Sequence, residues 1–319
     1  MSETLSVKII RKANEAENIC SLRLEAVAPA TLQAFSAGAH IDLHLPNGII
    51  RQYSLVNAGN EPYYEIAVLN EAESRGGSRA VHESLKEGDI LSISHPRNHF
   101  ALADGHSQSL LLAGGIGVTP ILCMAQRLHA IGAPFAMHYC VRNKQRAAFV
   151  DRIAASPYAA NVTMHYDDGP ADQSLDMIAT IAAQPAGAHL YVCGPAGFIE
   201  AAANAAKTQG WPADRIHFEY FAAGPTDRAD DGSFEVQVAS SGDVFTVPAG
   251  VSALQVLNDA GVDIPWSCEE GVCGTCVTRL LDGEPDHRDH FLSDAEKAAG
   301  DIFTPCCSRA KSPRLVLDL

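Results

Sequence analysis

The chain has 319 residues, 47% of them apolar and 19% charged. That length suggests two or three domains, and the apolar share excludes a disordered chain. The net charge of −15 argues against a nucleic-acid binder, and no run approaches the ~20 apolar residues of a membrane span. The opening, MSETLSVKIIRK, lacks the charged-then-apolar layout of a secretory signal, so a cytoplasmic protein is expected. The charge is uneven, with 14 acidic and 6 basic side chains in residues 233–319. Such a surface is either ordinary solvation or an acidic docking face that steers a basic partner.

Residues 5–104 carry short β-rich runs: LSVKIIR, ICSLRLE, AHIDLHL, IIRQYSLV, YYEIAVLN and DILSIS. Turn residues such as Asn47-Gly48, Asn57-Ala58-Gly59-Asn60 and Glu87-Gly88-Asp89 separate them. This spacing predicts an antiparallel barrel or sandwich, with one helix after Gly76-Gly77. Residues 109–222 alternate instead. The strand SLLLAG leads to a helix opening at Thr119-Pro120. FAMHYCV, a helix near 145–155, NVTMHY, a helix near 174–183, AHLYVC and the helix FIEAAANAAKTQG follow. Alternation of this kind predicts a parallel sheet of βαβ units.

Residues 222–232, AAGPTDRADDG, read as a linker by composition. Beyond them, FEVQVAS and DVFTVP flank a hairpin signal at Ser240-Ser241-Gly242. A helix at ALQVLNDAG, a cysteine loop, a short helix near 293–299 and a terminal strand RLVLDL complete the chain.

Five of the nine cysteines lie between residues 268 and 307. An odd count without a secretory signal does not suit a disulfide framework, so the cluster reads as metal or redox chemistry. Cys268, Cys273 and Cys276 follow C-x4-C-x2-C, and Cys306 follows after 29 intervening residues. This is the plant-type [2Fe–2S] arrangement, in which four thiolates hold two irons. Gly271 and Gly274 suit a backbone that wraps closely around a cluster. A structural zinc site is the alternative, although zinc usually pairs C-x2-C with another such pair or with histidines. Cys306 and Cys307 are adjacent, and alternating side chains cannot both enter one site from an extended segment. The reading takes Cys306 as the ligand and Cys307 as a bystander.

Other motifs carry a resemblance. Arg51-Gln52-Tyr53-Ser54 matches the RxYS motif of the ferredoxin reductase superfamily. Gly114-Gly115-Ile116-Gly117-Val118-Thr119-Pro120 and Cys193-Gly194-Pro195 match its nicotinamide motifs. With the C-terminal cysteine pattern, the whole chain resembles the phthalate dioxygenase reductase family, which includes vanillate O-demethylase and phenoxybenzoate dioxygenase reductases. The resemblance implies three domains: an antiparallel β-barrel flavin domain at 1–104, an α/β parallel-sheet nucleotide domain at 105–224 and an α+β β-grasp ferredoxin domain at 233–319. A linker at 225–232 joins the last two.

The resemblance also implies roles. Arg51 pairs with the flavin phosphate, Tyr53 flanks the ring, and Ser54 bonds near N5, with Gln52 on the same strand. Ala67, Val68 and Leu69 border the flavin. Gly76, Gly77 and Ser78 open a helix whose amides hold the phosphate, a segment resembling an FMN site more than an FAD site. Gly114, Gly115 and Gly117 admit a pyrophosphate; Thr119 can cap the following helix and Pro120 suits its first turn. Cys193, with Gly194 and Pro195, shapes hydride geometry beside the nicotinamide, or is simply a buried cysteine. Phe221 stacks on the flavin or is a core aromatic. Arg142 and Asn143 lie where the adenosine ribose belongs. NADH is the family habit, although Arg142 and Arg146 could receive the 2′-phosphate of NADPH.

The 13 histidines, among them His40, His44, His95, His99, His287 and His290, show no metal-type spacing. Neither a G-x-S-x-G elbow nor H-E-x-x-H occurs, so hydrolysis has no support. The expectation is a monomeric NADH-dependent reductase that passes electrons through FMN and [2Fe–2S] to a Rieske-type terminal oxygenase of aromatic catabolism. A cytochrome P450 or a ferric chelate is the alternative acceptor. A non-enzymatic iron–sulfur sensor is the alternative of another class.

Overall fold

The computed structural model describes residues 4–59, 61–105, 107–221 and 231–319. The chain divides into two compact units, Ser2–Phe221 and Ala222–Leu319.

The first unit opens with a long hairpin, β1 (Thr4–Ala16) and β2 (Ile19–Ala26), turned by Asn18 at φ 60°. Then come β3 (His40–His44), β4 (Ile50–Ser54), β5 (Tyr64–Leu69), α1 (Gly77–Glu83) and β6 (Ile90–Ser94). The six strands form one sheet in the order β4-β3-β6-β1-β2-β5, every pairing antiparallel. Its two end strands are linked by a bridge between Leu55 and Ile66, and by Val56 N–H donating to Glu65 O at 2.8 Å. In β1 exposed and buried residues alternate, which sends Leu5, Val7 and Ile9 inward. Lys12 Nζ donates to the carbonyls of Val81, His82 and Leu85 at 2.7–2.8 Å. A cation at a helix C-terminus satisfies orphan carbonyls and complements the dipole, so β1 fixes where α1 ends.

Next come β7 (Ser109–Gly114), α2 (Val118–Ala130), β8 (Phe135–Val141), α3 (Val150–Ala154), β9 (Val162–Tyr166), α4 (Met177–Ala182), β10 (His189–Cys193), α5 (Ala196–Thr208) and β11 (Ile216–Glu219). These strands form a parallel sheet in the order β11-β10-β7-β8-β9. SLLLAG, apolar after Ser109, is its fully buried central strand. The expected boundary near residue 104 is not a gap. Val56, Ala67 and Phe100 share one hydrophobic core with Leu111, Val118, Ile121 and Met124. The helix expected near 145–155 is shorter, because Phe149 takes a left-handed φ of 62° just before α3.

The second unit contains β12 (Phe234–Val238), β13 (Val244–Val247), α6 (Ala253–Asp259), β14 (Thr278–Asp282), β15 (Pro285–Asp286), α7 (Asp294–Ala299), β16 (Ile302–Phe303), β17 (Arg309–Ala310) and β18 (Arg314–Leu317). A mixed sheet runs β13-β12-β18-β14-β16, with β15 and β17 as a separate ribbon. Its core gathers Val236, Val247, Ala253, Leu257, Phe303, Leu315 and Leu317. Ser293 and Glu296 form a capping box on α7. Of the expected linker, residues 225–230 lie outside the described residues. Asp231 and Gly232 are not loose: Arg288 Nη1 donates to Asp231 Oδ1 at 2.6 Å, and Arg309 Nη2 donates to Gly232 O at 2.7 Å. Among the described residues, no helix is long and apolar enough to cross a membrane.

Candidate functional site

The RxYS residues occupy β4, an end strand paired on one side with β3. Arg51, Gln52 and Tyr53 are half-buried and Ser54 is buried. Gln52 Nε2 is buried without a hydrogen-bond partner among the described residues, as a group awaiting a ligand would be. Burial pushes the Tyr53 hydroxyl up, away from ionisation. A Cβ on Gly77 would lie 2.7 Å from Cγ of Arg51. Gly77 therefore admits the arginine against the start of α1, with Gly76 at φ 96° turning the chain into the helix. The Ser78 side chain turns to the preceding loop. Its hydroxyl donates to Ser74 Oγ at 2.9 Å and accepts from Glu71 N–H at 3.1 Å, so it braces the loop. Ala67 and Val68 are buried in β5 and Leu69 is half-buried.

Two glycine loops meet at the C-terminal ends of β7 and β10, which are neighbours in register (Ala113 beside Cys193). A Cβ on Gly117 would come within 2.2 Å of Cys193 O, and one on Gly194 within 2.9 Å of Gly114 Cα. Gly115 takes φ 54°, and a Cβ on Gly114 would press at 3.0 Å on Pro195 and Phe198. Thr119 does not cap α2. The helix starts at Val118 after Gly117, and the Thr119 hydroxyl donates back to Ile116 O at 3.1 Å, with Pro120 in the first turn. Arg142 is exposed just past β8, and Asn143 Oδ1 accepts from Arg146 N–H at 3.1 Å. Arg146 faces Glu17 at 3.7 Å, so of the two arginines Arg142 stands nearer the free strand end.

A carboxyl missed in the sequence brings the flavin and nicotinamide motifs together. Glu219 ends β11 in register with Cys193. Ser54 Oγ donates to Glu219 Oε2 at 3.3 Å. Burial pushes the Glu219 carboxyl up to about 8, the Ser54 hydrogen bond opposing it. Burial, reinforced by Glu219, likewise pushes the Cys193 thiol well up, so Cys193 is no thiolate nucleophile. His40 Nδ1 stands 3.9 Å from Glu219 Oε1. Two residues beyond Glu219, Phe221 is 37% exposed, which suits a ring that covers a ligand better than a core aromatic. No sequence signal marks Glu219: β11 reads Ile-His-Phe-Glu, and its partner Ser54 lies 165 positions away.

In the second unit Cys268, Cys273, Cys276 and Cys306 are all buried, while Cys307 is half-buried. Cys268 contacts Cys273, and Cys306 contacts both Cys276 and Cys307. Four buried thiols in the C-x4-C-x2-C…C spacing suit the two irons of a [2Fe–2S] cluster. Glu270 N–H donates to Cys268 Sγ at 3.3 Å and Thr275 N–H to Cys273 Sγ at 3.5 Å. Such amide contacts stabilise thiolates. The Cys307 sulfur also lies under Gly271, where a Cβ would stand 2.4 Å from it.

Comparison with known proteins agrees with this arrangement. Residues 236–311 match the 2Fe-2S iron-sulfur cluster binding domain family. Residues 93–216 match the N-terminal domain of the dimethylamine monooxygenase subunit DmmA-like family. The chain is 55% identical over 305 residues to the vanillate O-demethylase oxidoreductase of Pseudomonas sp. strain HR199, covering 95% of this chain and 96% of the relative. The solved structure of a phthalate dioxygenase reductase is 39% identical, with a TM-score of 0.78, over 99% of this chain and 98% of that one. An intact type IV self-sufficient cytochrome P450 monooxygenase is 35% identical, with a TM-score of 0.86, over 99% of this chain and 41% of that one. The chain belongs to the phthalate dioxygenase reductase family.

Proposed function

We propose that this chain is the reductase component of an oxygenase system. It takes electrons from NADH through FMN and a [2Fe–2S] cluster to a Rieske-type terminal oxygenase. One observation carries the reading: Ser54 of the flavin motif and Cys193 of the nicotinamide motif both adjoin Glu219. Motifs that arise 139 positions apart thus adjoin one carboxyl, which supports a hydride step between the two rings there. When bound, the flavin accepts a two-electron hydride and releases electrons singly.

The chain's own residues position and shield. Arg51 beside Gly77 supplies a charge-assisted contact to a phosphate. Gln52 and Tyr53 line the same strand, and Ala67, Val68 and Leu69 close one border. Gly114, Gly115, Gly117 and Gly194 form a floor without side chains for the dinucleotide, edged by Pro195, with Arg142 and Asn143 at the ribose. Cys193 keeps that floor apolar, and Phe221 covers the ring until nicotinamide arrives. Cys268, Cys273, Cys276 and Cys306 hold the cluster. In this reading residues 1–104 form a flavin barrel, 105–224 the nucleotide domain and 233–319 a β-grasp ferredoxin domain, in a cytoplasmic monomer.

The test is an absorbance spectrum before and after anaerobic NADH, with the released flavin identified by chromatography. Flavin bands and a broad iron–sulfur shoulder, bleached by NADH and yielding FMN, support the reading. Colour that ignores NADH overturns it. The likeness to the self-sufficient P450 favours a second acceptor class, a haem monooxygenase. Turnover with purified Rieske and haem partners separates the two.

A further inference from the structure

His40 is 3% exposed, and among the described residues neither of its ring nitrogens has a hydrogen-bond partner. A buried imidazole without partners is costly, and a fold that keeps one asks for a reason. Its surroundings supply one. On one side Nδ1 faces Glu219 Oε1 at 3.9 Å. On the other, the His99 ring lies 5.4 Å away, centre to centre, at 33°. His99 is exposed and lines an open cavity of about 280 Å³ with Phe100, Ala101, Ile216, His217 and Phe218. The charged groups facing His40 are Glu219 from β11, Asp42 from its own strand and Arg97 from the segment after β6. Arg97 Nη2 donates to Asp42 Oδ2 at 2.6 Å, so those two neutralise each other. A row of proton-carrying groups therefore runs Ser54, Glu219, His40, His99, cavity, with steps of 3.3 Å and 3.9 Å between atoms and 5.4 Å between ring centres.

We propose that His40 and His99 are the proton exit that connects the Ser54–Glu219 pair to solvent. The inference rests on the flavin reading above. NADH gives up a hydride, two electrons with one proton, and becomes NAD⁺. Once both electrons have left for a one-electron acceptor, one proton remains and must reach water. A neutral imidazole can take that proton at Nδ1 while giving another from Nε2, ending neutral with its tautomer exchanged. Burial, with Arg97 and His99 adding to it, pulls His40 down to about 3. The ring therefore passes protons on without storing them. Ser54 has a single O–H, so it donates elsewhere only when Glu219 is protonated and donates to it.

The test reads hydrogen–deuterium exchange of the Glu219 carboxyl by infrared difference spectroscopy of the flavin-bound protein. The band is assigned by its absence in Glu219→Gln. In His40→Phe the exchange is expected to slow on the order of 100-fold, the worth of a positioned proton carrier. In His40→Ala, added imidazole is expected to restore it. His99→Phe, a change at an exposed position, slows it less and keeps the test available if the His40 variants do not fold. Exchange as fast as wild type in His99→Phe, or in a folded His40→Phe, overturns the relay. A wild-type protein that carries no flavin instead overturns the functional reading, an outcome distinct from unchanged exchange in flavin-bound variants.

Discussion

Ser54 and Glu219, 165 positions apart, meet in a hydrogen bond of 3.3 Å that links β4 to β11. The contact ties the end of the RxYS strand to the end of the parallel sheet, within one compact unit.

Glu219 makes stability depend on pH in a defined direction. Its folded carboxyl titrates near 8, above the 4.5 of a free glutamate. Between those values the folded state holds a proton that the unfolded chain has lost, so stability falls as pH rises through the window. Glu219→Gln cannot ionise. Its melting temperature is expected to gain on wild type from pH 5 to about pH 8 and then hold a constant lead. A lead that shrinks with rising pH would contradict the burial of this carboxyl. Calorimetry at four pH values decides it.

Arg51 and Gly77 are coupled by distance. Arg51→Ala is expected to weaken flavin retention by about 2 kcal/mol, roughly 30-fold in Kd. Gly77→Ala places a methyl 2.7 Å from Arg51 Cγ, and the flexible side chain moves away. A smaller weakening follows. Fluorescence titration of the stripped protein with FMN measures both, and equal affinity in all three proteins would remove Arg51 from the flavin site.

Cys306 and Cys307 separate cleanly by substitution. Cys306→Ser is expected to lose the iron–sulfur absorbance. Cys307→Ser keeps it, because Cys307 packs beneath Gly271 and near Thr304 and Ser308. Iron and sulfide analysis of the two purified variants tests the assignment, and the reverse pattern would exchange the roles.

Arg309 is a buried cation in the second unit, 7% exposed at its side chain. Its guanidinium donates to the carbonyls of Val251, Gly232 and Pro248 and stacks 4.9 Å over Phe234. It also faces Asp231 at 3.7 Å. Removing one partner of a buried network costs about 3–5 kcal/mol. Arg309→Met is expected to lower the melting of the ferredoxin unit while the flavin signal of the first unit melts unchanged. Joint melting of both signals would show that the two units do not unfold separately.

The legible parts of this chain are local. Cys268, Cys273 and Cys276 fall within nine residues, and Arg51 to Ser54 within four, so their spacing is written in the text. The strand and helix order followed from periodicity, because buried strands such as SLLLAG and amphipathic helices differ in pattern. Glu219 and His40 were invisible as site residues. Their roles arise only when β11 and β3 bring them within 3.9 Å, and no spacing encodes that. Thr119 was misjudged as a cap because its local sequence suits one. The loop instead starts the helix two residues earlier, after Gly117, and turns the hydroxyl back to Ile116. Asp231 looked like linker because its partners, Arg288 and Arg309, lie 57 and more residues away.

The interlocked glycines have an evolutionary consequence. Gly117 leaves no room for a Cβ beside Cys193 O, and Gly194 none beside Gly114. Each loop is the mould of the other, so a side chain gained in one cannot be absorbed by a change in its own sequence neighbours. Variation at these four positions has to arise jointly across two distant segments, or not at all. The two glycine loops should therefore drift more slowly than the strands that carry them.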